Sequence, residues 1–271
     1  MSAPDAPDAD EKPFFIGFAP PPDALRPFLL GVAGGLVILF AALGWLLGAT
    51  QDDPGPAAFR FDWGRQTVTG VIDAHPYPVL HVLASATERY APGDAILLSG
   101  QGKRGVQDRA APLHGALSVV SGVGMQRGPL DMIQARGGAN GLAAFEQVEE
   151  APLVPAGAPA DLPAPQDLGR WRLTGEICDG KCLAGAMRPG TGLAHKACAV
   201  LCLDGGAPPV FVSTGPVDGE TFFLIGEAEG GPVPRDLLAW TAQLVTLEGR
   251  VERRGDLMVF LVDPSTARLA P

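Results

Sequence analysis

The sequence predicts a mostly β protein in which one N-terminal transmembrane helix precedes two small five-stranded barrels. Three observations lead there: one long uncharged stretch at 28–48, short β-branched runs punctuated by glycine and proline, and a second half that repeats the first. Composition agrees. With 36 glycines and 27 prolines among 271 residues, and only 7% aromatics, turn-rich β structure with cores of Val, Leu, Ile and Ala is favoured over long helices.

Residues 1–26 carry Asp5, Asp8, Asp10, Glu11 and Asp23 among six prolines, with little to bury, so a disordered cytoplasmic tail is expected. The helix follows at 27–49. Its uncharged run FLLGVAGGLVILFAALGWLLG would span about 32 Å at the helical rise, the thickness of a hydrocarbon core. It exceeds the ~7–15 residues of a cleaved signal's apolar region, which makes it an anchor. Lys12 and Arg26 precede it and Asp52 and Asp53 follow, predicting a single pass through an inner membrane with the C-terminal bulk in the periplasm. Gly31, Gly35, Gly44 and Gly48 recur at fours along the run and would let a partner helix approach, so an integral membrane partner is expected.

The first barrel is assigned to 58–150, with strands at 66–73 (QTVTGVID), 77–84 (YPVLHVLA), 94–99 (DAILLS), 116–123 (ALSVVSGV) and 130–134 (LDMIQ). Residues 151–168 hold five prolines and no periodic apolar face, the mark of a semi-rigid extended linker. The second barrel, 169–271, answers the first. Thr69-Gly70-Val71-Ile72 matches Thr174-Gly175-Glu176-Ile177 at an offset of 105, and Leu98-Ser99-Gly100 matches Leu224-Ile225-Gly226 at 126. Val120-Ser121-Gly122-Val123 matches Leu247-Glu248-Gly249-Arg250 at 127, and Arg127-Gly128 with Leu130 matches Arg254-Gly255 with Leu257. The growth of the offset locates an insertion across the Cys/His stretch of the second copy. Residues 234–242 (PRDLLAWTA) read as a short helix capped by Asp236 between the third and fourth strands. Five strands with a helix after the third is the order of an OB-type barrel, hence two OB-like domains.

Several function classes are excluded or unsupported. A formal charge of -10 and the lack of basic grooves and aromatic platforms argue against nucleic acid. Neither C-x-x-C-H nor C-x-x-C occurs, so neither covalent haem nor a thioredoxin-type pair is expected. Gly100-Gln-Gly102-Lys-Arg-Gly105 matches a dinucleotide fingerprint, but Pro112 and the missing helical periodicity make it a turn. No nucleophile elbow supplies a Ser, His and acid grouping. His75, His81 and His114 read as surface or turn residues.

The chemistry concentrates in 175–211, which holds all four cysteines: Cys178-x3-Cys182, fifteen residues, then Cys198-x3-Cys202, with His195 three residues before Cys198. Two readings stand. In an oxidising compartment an even number of cysteines pairs as disulfide staples, each worth on the order of 3 kcal/mol for a loop of about fifteen residues. Alternatively Cys178, Cys182, His195, Cys198 and Cys202 bind zinc or copper(I), a helix over 194–202 setting Cys198 and Cys202 on one face.

Asp179-x-x-Cys182, His195-x-x-Cys198-Ala199-x-x-Cys202 and Gly205-Gly206-x-Pro208-Pro209 together resemble a pattern in small, mostly uncharacterised exported bacterial proteins. The resemblance covers about 173–262, and its matching positions are Asp179, Cys182, His195, Cys198 and Cys202. Cys178 departs from it, standing where an aliphatic residue is usual. The function expected from the whole chain is a non-catalytic, membrane-anchored accessory subunit or assembly factor of a membrane redox complex. The alternative is a metal-binding or thiol-active periplasmic protein working alone.

Overall fold

The computed structural model describes residues 22–50, 57–158 and 160–270 and divides the chain into two units, 1–53 and 54–271. Most of the expected acidic tail lies outside the described residues. In the first unit a 3-10 turn, Asp23–Leu25, leads into helix α1, Arg26–Thr50. Apolar side chains face every direction around it, from Phe28 to Trp45, as in a helix whose surroundings are apolar on all sides. The helical stretch Asp23–Ala49 is long and apolar enough to span a membrane.

The second unit is β. Its first sheet contains β1 (Ala58–Phe59), β2 (Arg65–Asp73), β3 (Val79–Ser85), β4 (Ala95–Ser99), β5 (Leu117–Arg127), β6 (Leu130–Ala135) and β7 (Leu142–Ala144). The order β5-β2-β3-β4-β6 closes on itself because β6 also pairs with β5. A one-turn helix, α2 (Gln107–Ala110), separates the third and fourth barrel strands. The second sheet contains β8 (Gln166–Asp179), then α3 (Lys196–Asp204), β9 (Pro209–Val217), β10 (Glu220–Glu227), α4 (Arg235–Leu238), β11 (Leu244–Arg254) and β12 (Leu257–Leu269). It is a closed barrel, β10-β12-β11-β8-β9. Both barrels therefore share one topology, with the third strand parallel to the last in each, β4 to β6 and β10 to β12.

The repeat has a physical cause at its glycines. A Cβ at Gly70 would lie 2.1 Å from the His81 carbonyl oxygen, and one at Gly175 would lie 2.2 Å from that of Val212. Gly122 and Gly249 stand in the same relation to Gln134 and Leu261. Only glycine lets the partner backbone come so close where small barrels bend their strands.

Three details depart from expectation. β8 begins at Gln166, within the stretch assigned to the linker. α4 is capped by Pro234 without a side-chain bond, and Asp236 sits inside its first turn, where it meets the positive end of the helix instead. His81 is buried rather than exposed, close beneath the turn at Gly255, because its strand is covered by the second barrel.

The barrels share a core. The first encloses Val68, Ile72, Leu80, Ile96, Leu98 and Ile133. Alternate residues of the same strands, Val79, Leu97 and Met132, point outward into a cluster that includes Phe211, Phe223 and Phe260 of the second barrel. Those rings lie 5.7 and 6.3 Å apart around Phe260. Burying each contributes about 1.5–3 kcal/mol. Arg254 adds a polar tie, donating to Asp73 Oδ2 at 2.9 Å and to the His75 carbonyl at 2.6 Å. The proline-rich segment thus joins two barrels that are packed together.

Candidate metal and thiol centre

The centre is assembled at the C-terminal end of β8, where strand geometry sends successive side chains to opposite faces. Cys178 turns into the shared core, and Asp179 turns toward the inserted loop. The Asp179 carboxylate is fully buried and uses both oxygens. Oδ1 accepts the Cys182 backbone N–H at 2.7 Å, fixing the tight turn Cys182–Ala186, and Oδ2 accepts from His195 Nε2 at 3.0 Å. His195 ends a 3-10 turn, Leu193–His195, and leads directly into α3, whose i, i+4 spacing sets Cys198 and Cys202 on one face.

Donor atoms converge as a result. Cys182 Sγ, a ring nitrogen of His195 and Cys198 Sγ lie within 4.8 Å of one another, and so do an Asp179 oxygen, Cys182 Sγ and Cys202 Sγ. His195 Nδ1 is buried with no hydrogen-bond partner, leaving a polar atom unsatisfied at a cost of about 1–3 kcal/mol unless a ligand meets it. Cys182, Cys202 and His195 are almost inaccessible, and only Cys198 is half-buried.

Charge is distributed unevenly over the thiols. Hydrogen bonding with Cys202, followed by burial and the Asp179 charge, pushes the Cys182 thiol up. The same hydrogen bond, with help from Lys103, pulls Cys202 down to about 7. Lys103 Nζ lies 2.8 Å from Cys198 Sγ and 3.6 Å from Cys202 Sγ, and the bond to Cys198 raises its own pKa. Lys181, next to Cys182, is 3% exposed, and burial lowers its pKa.

Of the five residues predicted as ligands, Cys182 is brought together with His195 and Cys198 on one side and, beside Asp179, with Cys202 on the other. Cys178 is not: its Sγ lies 3.3 Å from Glu176 Oε1, and burial holds its thiol well above the usual range. The expected disulfide staples are not formed, since all four cysteines are free and the Sγ atoms of Cys182 and Cys198 stand 3.9 Å apart. The physical reason is the alternation along β8. It removes Cys178 from the loop, so the four cysteines cannot pair two by two within it.

Sequence reasoning placed Asp179 in the motif without giving it a role in the site, and left Lys103 and Lys181 out altogether. Asp179 had a readable signal, because an Asp three residues before Cys182 matches the turn in which a carboxylate accepts a nearby backbone N–H. Lys103 had none, since it reaches the thiols from the Gly-x-Gly-x-x-Gly turn of the other barrel. That turn leads into α2, a single turn of helix. Compared with family models, with curated proteins and with solved structures, the chain matches none.

Proposed function

We propose that this chain is a membrane-anchored protein whose second barrel holds one thiophilic metal ion, zinc or copper(I), through Cys182, His195, Cys198 and Cys202. The observation that carries this reading is the buried convergence of thiol sulfurs and an imidazole whose other nitrogen is held by a buried carboxylate. Metal-binding histidines are commonly oriented in this way, which holds the tautomer and strengthens the donor. Soft sulfur and imidazole donors suit zinc and copper(I) better than magnesium or calcium.

In this reading the chain is an accessory or assembly factor of a membrane redox complex, anchored through α1 with the barrels in the periplasm and an integral membrane partner. The metal would be held or handed on rather than used for catalysis. The test is metal loading of the full-length protein in detergent micelles with zinc or, under reducing conditions, copper(I), followed by elemental analysis. About one equivalent retained by wild type and lost in Cys182→Ser supports the reading. No retained metal in wild type overturns it.

A second reading has its own observation. The half-buried Cys198 has the Lys103 ammonium 2.8 Å from its sulfur and the Cys182 sulfur 3.9 Å away, a combination suited to thiol–disulfide exchange. There the Cys198 thiolate would attack a partner disulfide, releasing one partner thiol, and Cys182 would resolve the mixed disulfide. The two electrons would pass to the partner. Isolation of a Cys182–Cys198 bridge after treatment with oxidised glutathione would favour this reading over metal holding.

A further inference from the structure

The wall of the thiol centre that faces solvent does not belong to the second barrel. Lys103 stands in the Gly100–Gly105 turn of the first barrel, and its ammonium covers Cys198, the one half-buried donor, while also reaching the Cys198 carbonyl at 3.3 Å. The turn is seated from two sides. From below, the nearly inaccessible Lys181 donates to the carbonyl oxygens of Gly100 at 2.7 Å and Gly102 at 2.6 Å. From the α3 side, the Gly105 N–H donates to the Gly205 carbonyl at 2.8 Å.

Gly205 explains how the two loops come so close. Its φ of -79° and ψ of -1° suit any residue, so the backbone conformation does not call for glycine. The space does: a Cβ there would lie 1.7 Å from the Lys103 carbonyl oxygen. Gly206, with φ of +89°, is the residue of the pair that makes the turn. Gly205 is therefore a docking surface for the loop that carries Lys103.

We propose that the first barrel completes the metal centre: Lys103 donates to the Cys198 and Cys202 thiolates, offsets part of their negative charge and closes the solvent side, so that metal is exchanged only when the Gly100–Gly105 turn lifts. This rests on the metal-holding reading. Lys103 is a positioning and covering residue and not a ligand, since an ammonium has no lone pair to give. The first barrel then governs how fast the centre releases its metal, and its tight packing on the second barrel has a use beyond stability.

The test uses full-length protein in detergent micelles, loaded with copper(I) and desalted, with transfer to excess bathocuproine disulfonate followed by absorbance. Lys103→Met should keep the wild-type stoichiometry yet lose metal at least about tenfold faster, the low end of what outer partners of metal ligands contribute. Lys103→Arg, which keeps a charged donor, should return toward the wild-type rate, a rescue that a purely structural role would not give. Gly205→Ala touches no donor atom and should release metal faster in the same direction. Loss from Lys103→Met at the wild-type rate overturns the proposal whatever Gly205→Ala does. Wild type that retains no copper(I) or zinc removes the metal-holding reading itself, and this proposal falls with it.

Discussion

Asp179→Asn is the most informative single change in the centre, because it is nearly isosteric and alters only what one buried group can donate and accept. In the wild type both carboxylate oxygens accept, one from the Cys182 N–H at 2.7 Å and one from His195 Nε2 at 3.0 Å. An asparagine can keep the first bond through its carbonyl oxygen, so the Cys182–Ala186 turn should survive. Its amide then faces His195 Nε2 with two donor hydrogens, and the imidazole must move its proton to Nδ1 to accept one. That nitrogen is the one with no protein partner, so the change uses up a free lone pair. Losing a carboxylate that orients a metal-bound histidine typically costs 10–100-fold in affinity, about 1.4–2.8 kcal/mol. Competition of full-length protein against a chromophoric zinc chelator reads this directly, with a thermal melt as control for folding. The expected result is a 10–100-fold weaker zinc affinity with a melting temperature close to wild type. Wild-type affinity in Asp179→Asn would refute the orienting role. Wild-type affinity in His195→Ala as well would remove the imidazole from the ligand set.

Two other consequences are independent of that one. Cys178→Ala should retain the wild-type metal stoichiometry, because Cys178 lies in the shared core away from the cluster, and elemental analysis beside Cys182→Ser checks it. Asp131, whose Oδ1 is buried without a partner, has its pKa pushed up to about 6, chiefly by burial and then by the Asp94 and Asp256 charges. A carboxyl raised in the folded state favours folding in its protonated form, fully below the unfolded value near 4, and that contribution is lost as pH rises through 6. Asp131→Asn should therefore be more stable than wild type by about 1–2 kcal/mol at pH 8, after discounting for partial solvent access, and about equal to it at pH 4. Denaturant melts at the two pH values decide; a difference that does not change with pH counts against the assignment.

What the sequence made legible was local. The uncharged run at 28–48 lies within a helix long and apolar enough to span a membrane, and the repeated Thr-Gly pairs at 69–70 and 174–175 mark strand positions where a neighbouring backbone lies about 2 Å from any Cβ. The face of α3 bearing Cys198 and Cys202 followed from helical spacing alone. What stayed hidden depends on contacts between residues roughly a hundred positions apart. The run Ala95-Ile96-Leu97-Leu98 is apolar without alternation, which is what a strand buried on both faces requires. Nothing in those four residues says that Ile96 and Leu98 fill their own barrel while Leu97 packs into the core of the other.

The same limit governs the candidate centre. Its donors lie within 25 residues and were readable, whereas the Lys103 ammonium that covers them and the Gly205 that admits its loop acquire meaning only together. A glycine with an ordinary helical φ looks dispensable when read alone. It ceases to be so once the carbonyl of Lys103 stands where its side chain would begin. The two barrels share one topology, yet the loop that gathers the thiols belongs to the second and the turn whose Lys103 lies against them belongs to the first.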